Sequence, residues 1–200
     1  MDGFNDLKEI CRIACHERQA CKPGFEAMLL AENTAQMMQV WRQNWNDIYS
    51  SKFADLMPQV VAGLSRQLIQ EMRQADVFVN ENSRRGLVIV CQPQRKVRVG
   101  GTARAYVFGG DAEVEATDHA QVYCRHEGVR IILRGYASAK VRAGECEIYD
   151  RSFLKILRQA RSTGSGQAQE PYLVGELVEP QEPLSVTIHD QATFEEVTEI

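Results

Sequence analysis

From Arg95 to Tyr149 the chain repeats itself every 17 residues without a gap, and this period constrains the fold more than any other feature of the sequence. Laid out in rows, Arg95 to Asp111 stands over Ala112 to Gly128 and then over Val129 to Glu145, with a fourth row opening at Cys146. Val97, Val114, Ile131 and Ile148 share one column, and Ala103, Ala120 and Ala137 share another. Ala105, Val122 and Ala139 form a third, and Val107, Cys124 and Val141 a fourth; Gly86, Val88 and Val90 extend the last three columns upward by one row. Within each row apolar residues alternate with polar ones in two short runs, which predicts two strands per row. Turn-prone residues separate the runs at Gly100 and Gly101, Gly109 to Asp111, Thr117 to His119, Gly135 and Gly144.

A fixed period of this kind belongs to a solenoid, where a repeat that cannot bury its apolar face alone stacks on its neighbours. An antiparallel meander folded into a sandwich or barrel is the alternative. Two features favour the solenoid. The inward columns are mostly Ala, with Val, Ile and Cys, which suits a coil thinner than the roughly 10 Å core of a sandwich. Stepping by 17 outside the core also gives Lys96, Glu113, Arg130 and Glu147, an alternating ladder that a parallel stack would space at about 4.8 Å. The expected fold is α+β: an N-terminal helical region (1–76), a short two-strands-per-turn parallel β-solenoid (77–150), a capping helix (151–161), a linker (162–171) and a strand-like acidic tail (172–200).

The segments Gly110-Asp-Ala-Glu-Val-Glu-Ala116, Thr117-Asp-His-Ala-Gln-Val-Tyr123 and Gly135-Tyr-Ala-Ser-Ala-Lys-Val-Arg-Ala143 resemble the Tyr-Asp-Asn-Ala-x-Val-x-Ala repeats of uncharacterised bacterial β-solenoid proteins. Cys21-Lys-Pro-Gly-Phe25 is similar to a motif in the short helical N-terminal region of some of them. His119 stands where Asn is usual, and Glu127 breaks the third copy. The resemblance extends over about residues 1 to 150; it implies the fold and no catalytic residue.

The flanks read as helices first. Phe4, Leu7, Ile10, Cys11, Ala14 and Cys15 have helical spacing, ended by Pro23-Gly24. Met28, Leu29, Met37, Met38, Trp41, Trp45 and Ile48 form a second stripe over 25–49, and Phe53 to Met72 a third, bent or restarted at Pro58. Below the repeats, Asp150 or Ser152 can cap a helix carrying Phe153, Leu154, Ile156 and Leu157, placed to close the end of the stack. Above them, Leu87, Ile89 and Cys91 would project outward from one strand, so the Met and Trp stripe or the 60–72 helix is expected to bury them.

Composition bounds the function. The chain has 200 residues, 44% of them hydrophobic and 25% charged, with no secretory leader pattern and no run of 18 apolar residues, so a cytoplasmic protein away from membranes is expected. The six cysteines, at 11, 15, 21, 91, 124 and 146, show no compact disulfide pattern. Cys11, Cys15, His16 and Cys21 could be imagined as zinc ligands, but Cys11 and Cys15 continue the apolar stripe of Leu7 and lack zinc-knuckle spacing, so no metal or other cofactor is expected. Residues 162–200 hold 8 of the 27 acids and no Lys or Arg, leaving the remainder, with 23 basic and 19 acidic residues, at net +4.

Phosphate loops, His-x-x-x-His pairs and nucleophile elbows are all missing from the sequence. His119 and His126 fall at turn positions and are the one suggestion of an enzyme. A non-enzymatic interaction or scaffold module, binding a protein partner or a second copy of itself, is the favoured reading. The alternative is a polymer-binding protein for nucleic acid or glycan, in which Arg104, Tyr106, Phe108, Tyr123, Arg125, Lys140 and Arg142 share one outer face.

Overall fold

The structure, a computed structural model, describes residues 3–49, 53–91, 96–109, 111–126, 128–159 and 184–199. The linker 162–171, the strand-like stretch 172–178 and Glu127 lie outside the described residues. Helices α1 (Phe4–Glu17), α2 (Lys22–Leu30), α3 (Thr34–Gln43), α4 (Trp45–Ile48), α5 (Met57–Ala62) and α6 (Arg66–Gln74) precede every strand. They are shorter and more numerous than the periodicity predicts, because polar residues inside the stripes act as caps. The Asn33 side chain accepts the Gln36 N–H at 3.0 Å and starts α3, and the Ser65 hydroxyl accepts the Leu68 N–H at 3.2 Å and starts α6. Pro23 does not end the first helix but opens the second, where its missing N–H costs no hydrogen bond.

Strands β1 (Val77–Val79), β2 (Leu87–Val90), β3 (Val97–Val99), β4 (Arg104–Val107), β5 (Glu113–Ala116), β6 (Gln121–Cys124), β7 (Arg130–Leu133), β8 (Ser138–Val141), β9 (Gly144–Ile148), β10 (Phe153–Gln159), β11 (Leu184–Ile188) and β12 (Thr193–Glu199) form two sheets. One has seven strands in the order β1-β2-β4-β6-β8-β10-β12 and the other five in the order β11-β9-β7-β5-β3. Every pairing is parallel, and from β2 onward consecutive strands alternate between the sheets. Residues 17 apart pair in both: Val88 with Ala105, Val122 and Ala139 in turn, and Val97 with Val114 and Ile131. The inward columns are fully buried between the sheets, with Ala103, Ala120 and Ala137 at 0% exposure.

The fourth row departs from the period. Ile131 pairs with Cys146 rather than Ile148, and Ser138 with Phe153, both 15 residues apart. The connection between β8 and β9 has two residues where those from β4 to β5 and from β6 to β7 have five, and Gly144, at φ +111, takes a path on which a Cβ would sit 2.5 Å from the Val129 carbonyl oxygen. Strands have a side-chain period of two, so the slip keeps Ile148 inside, opposite Leu133, and Glu147 outside.

The expected capping helix at 151–161 is a strand instead. Phe153 to Gln159 continues the seven-stranded sheet, with Leu154 and Ile156 buried and Lys155 between them pointing outward. The same apolar residues satisfy a helical and an alternating pattern; the open edge of β8 offers a ladder of backbone partners, and that decides between the two. Beyond it, β11 and β12 add a further strand to each sheet, pairing at an offset of 40.

One corner recurs down the stack. Gly101, Asp118, Gly135, Asp150 and Asp190 all have φ between +53 and +66, the left-handed conformation that Gly adopts freely and Asp tolerates. The Asp118 carboxylate accepts the Gly101 N–H and that of Asp150 accepts the Gly135 N–H, each at 2.9 Å, which ties each corner to the one above.

The helices pack on the outer face of the seven-stranded sheet. Leu7, Met37, Met38, Trp41, Leu68 and Met72 share a second core with Val77, Leu87, Ile89 and Cys91. Ile89 is fully buried there, as the outward apolar residues of β2 require.

Candidate binding surface

The outer face of the seven-stranded sheet changes character from strand to strand. Following the pairings, one column reads Ile89, Tyr106, Tyr123, Lys140, Lys155 and Glu195. Ile89 lies under the helices, the tyrosines lie at their margin, and Lys140 is exposed. Tyr106 and Tyr123 stack with ring centroids 4.5 Å apart and planes 5° from parallel, and the Lys140 ammonium lies 5.6 Å from the Tyr123 centroid, a distance at which a ring face attracts a cation.

Two aromatic residues from the helical layer close over this column. Trp45 of α4 meets Tyr106 and Phe108 edge-on at 5.3 and 5.9 Å. Tyr49, directly after α4, meets Tyr106, Phe108 and Tyr123 edge-on at 5.0, 5.1 and 6.4 Å, arrangements that aromatic quadrupoles favour. The Arg125 guanidinium lies 5.2 Å from the Tyr49 centroid. Burial raises the Tyr49 phenol well above its ordinary range and pushes Tyr106 up to about 12, so both are neutral packing groups.

The seven residues singled out from the sequence do share this face, but in different roles. Tyr106 and Phe108 are 5% and 2% exposed and serve as the floor on which the helices sit. Tyr123, Arg125 and Arg142 are half-buried at the helical margin, and Arg104 and Lys140 are exposed. Trp45 belongs to the stripe expected to cover this face, whereas Tyr49 and Arg42, which shape the same region from the helical side, were not among the expected residues. Trp45 and Tyr49 stand one helical turn apart, which could have marked them as a pair, but nothing in the local pattern says which strand they meet.

The opposite outer face, on the five-stranded sheet, is closed by its own charges. Lys96 reaches Glu113 at 3.0 Å and Glu115 at 3.1 Å, Arg98 and Arg134 reach Glu115 at 3.3 and 3.4 Å, and Arg130 lies between Glu113 at 4.0 Å and Glu147. The expected ladder of Lys96, Glu113, Arg130 and Glu147 is therefore formed, the slipped register of Glu147 being bridged by the length of Arg130. Burial pushes the Glu115 carboxyl upward, yet Lys96, Arg98 and Arg134 together hold it below the usual carboxylate range.

His119 and His126 do not come together, since they lie in the two connections on either side of β6. His119 stacks on Tyr136 at 5.3 Å, whereas His126 is half-buried and its pKa is lowered, by burial first and then by Arg125. Burial also pushes the Cys11 thiol up to about 12, which makes it a poor thiolate ligand. Among the described residues no three His, Cys, Asp or Glu side chains are grouped to hold a metal ion, and no helix is long and apolar enough to cross a membrane. No protein-family model matches the chain, and no curated protein or solved structure is similar to it.

Proposed function

We propose that the chain is a non-enzymatic interaction module built on a short parallel β-solenoid, acting in the cytoplasm. On this reading the lower part of the outer face of the seven-stranded sheet, centred on Tyr123 and Lys140 and flanked by Arg125 and Arg142, recognises an acidic protein partner. The alternation of strands between two parallel sheets at a spacing of 17 supports the solenoid, as does the resemblance of 110–116, 117–123 and 135–143 to bacterial solenoid repeats. The observation that carries the function is the contrast of charge: Lys96, Arg98, Arg130 and Arg134 on the five-stranded face all have carboxylate partners, whereas in the column below Ile89 Lys155 is paired with Glu195 and Lys140, among the described residues, has the Tyr123 ring and no carboxylate beside it. Such a strip meets a negative surface with complementary potential and offers aromatic and cationic anchors of the kind that dominate interfaces.

The test uses wild-type protein and the Tyr123→Ala/Lys140→Glu double variant as baits in native lysate, after matching their melting temperatures. A partner retained by the wild type and lost by the variant is expected; identical retention by both overturns the reading. The stacked tyrosines beside Lys140 also support a second reading, in which the same strip binds an anionic polymer. Affinity for a fluorescent single-stranded oligonucleotide should then fall steeply between about 50 and 200 mM salt, and insensitivity to salt removes this alternative.

A further inference from the structure

Where α3 and α4 meet the upper strands of the seven-stranded sheet, a surface cavity of about 390 Å³ is lined by Arg42, Trp45, Thr102, Arg104 and Tyr106, with Gly86 and Leu87 completing its wall. We propose that this cavity is a binding site for a phosphate monoester. It adjoins the strip around Tyr123 and Lys140 through Tyr106, but does not depend on the function assigned to that strip.

Charge is the first reason. Two guanidinium groups come to one cavity from different elements, Arg42 from the last turn of α3 and Arg104 from the start of β4, and both side chains are exposed. Among the described residues neither forms a salt bridge and no carboxylate lines the cavity. Arg104 pairs along the sheet with Leu87 on one side and Gln121 on the other, so no acid from a paired strand stands opposite it. Two positive charges bordering a shared space are matched by a dianion, and planar guanidinium forks suit the oxygens of a phosphoryl group.

The second reason is an unused donor. Trp45 lines the cavity at 4% exposure, and its buried indole N–H has no hydrogen-bond partner. A buried donor left unpaired is costly; having no surface open to the cavity, it meets an oxyanion only if the Trp45 ring turns on binding. The Thr102 hydroxyl, on the exposed corner before β4, supplies a further donor. A carboxylate brings two oxygens and one charge; a phosphate monoester brings three terminal oxygens and nearly two charges, which fits two arginines and a hydroxyl better. The volume falls in the range of small-molecule sites and leaves room for more than the phosphoryl group alone.

The phosphoryl group could belong to a free metabolite or to a phosphorylated side chain, and one titration distinguishes them. The full chain in a phosphate-free buffer of low ionic strength is titrated with inorganic phosphate, glucose 6-phosphate, glucose and a phosphoserine hexapeptide, following tryptophan fluorescence, for which Trp41 and Trp45 are the only sources. Saturable responses to glucose 6-phosphate or to the phosphopeptide are expected, with none to glucose. The tighter of the two identifies the source as metabolite or protein. Arg42→Gln and Arg104→Gln should each weaken binding by about tenfold or more, since each removes charge-assisted hydrogen bonds. Both side chains are exposed, so the melting temperature should hold; Arg104→Lys, which keeps the charge but loses the fork, should bind at an intermediate level. No saturable response to any of the phosphates, or undiminished binding by the Arg42→Gln/Arg104→Gln double variant, overturns the proposal.

Discussion

The two outer faces of this molecule solve the same problem differently. Each sheet turns one side toward the shared core, and the other side must be made compatible with water or covered. The five-stranded sheet does so internally, with cations and anions on neighbouring strands neutralising one another from Lys96 to Glu147. The seven-stranded sheet is apolar at its upper end, aromatic in the middle and cationic below, and it is finished by something else: the helical layer above, and on the proposed reading a partner or ligand lower down. A self-neutralised face has no further need of a partner. A face completed by another element carries its specificity in that element.

The largest expected effect tests the covered end. Ile89→Asp places a carboxylate at a fully buried position of the core that also holds Met37, Trp41 and Met72, at a cost on the order of 4 kcal/mol or more. Denaturant melts should show a protein largely unfolded or with its helical layer released; a midpoint equal to the wild type would mean that the helices do not depend on this face. A smaller effect tests the self-neutralised face. Glu115→Gln leaves Lys96, Arg98 and Arg134 without their shared carboxylate, and the loss should be about 1 kcal/mol at low salt and fade as salt is added. Stability that does not respond to salt in either protein would show that the ladder is decorative.

The smallest effect is a pH dependence at the join between the faces. His126 has its pKa lowered from 6.5 by burial and by Arg125, so the folded state favours the neutral ring more than the unfolded chain does. Stability from this residue is fully present above about 6.5 and is lost as pH falls through the lowered folded value. Melting temperatures taken from pH 7.5 to 5 should decline less steeply in His126→Gln; parallel profiles would assign the decline to other groups.

Much of the sheet architecture was legible because its cause is periodic. Val97, Val114 and Ile131 recur at the step that hydrogen bonding then realises, and the charges of Lys96, Glu113 and Arg130 recur with them. The slip at Cys146 was not legible, since it comes from a shorter corner, and a corner's length leaves no mark on the alternation of the strands it joins. Phe153 to Gln159 misled for a related reason: its apolar residues fit either period, and only the presence of a neighbouring strand edge distinguishes the outcomes. The site divides in the same way. The strand residues Arg104, Tyr123 and Lys140 could be placed on one face by counting, whereas Arg42, Trp45 and Tyr49 enter through tertiary docking, which no local pattern records.

The even spacing of the pairings also bears on how the chain is made. From β2 to β8 each new strand of the seven-stranded sheet bonds to residues only 17 positions earlier, so its partner always lies a single intervening strand back along the chain. Short separations keep the entropic cost of closure low and favour rapid folding. A chain leaving the ribosome can therefore lay down its helical layer and first strands and extend them in order, as N-terminal parts of nascent chains generally do. Strands β11 and β12 break this rhythm: Thr193 pairs with Phe153 and Leu184 with Gly144, each 40 positions back, so these two must wait for a longer stretch of chain before they can join their sheets.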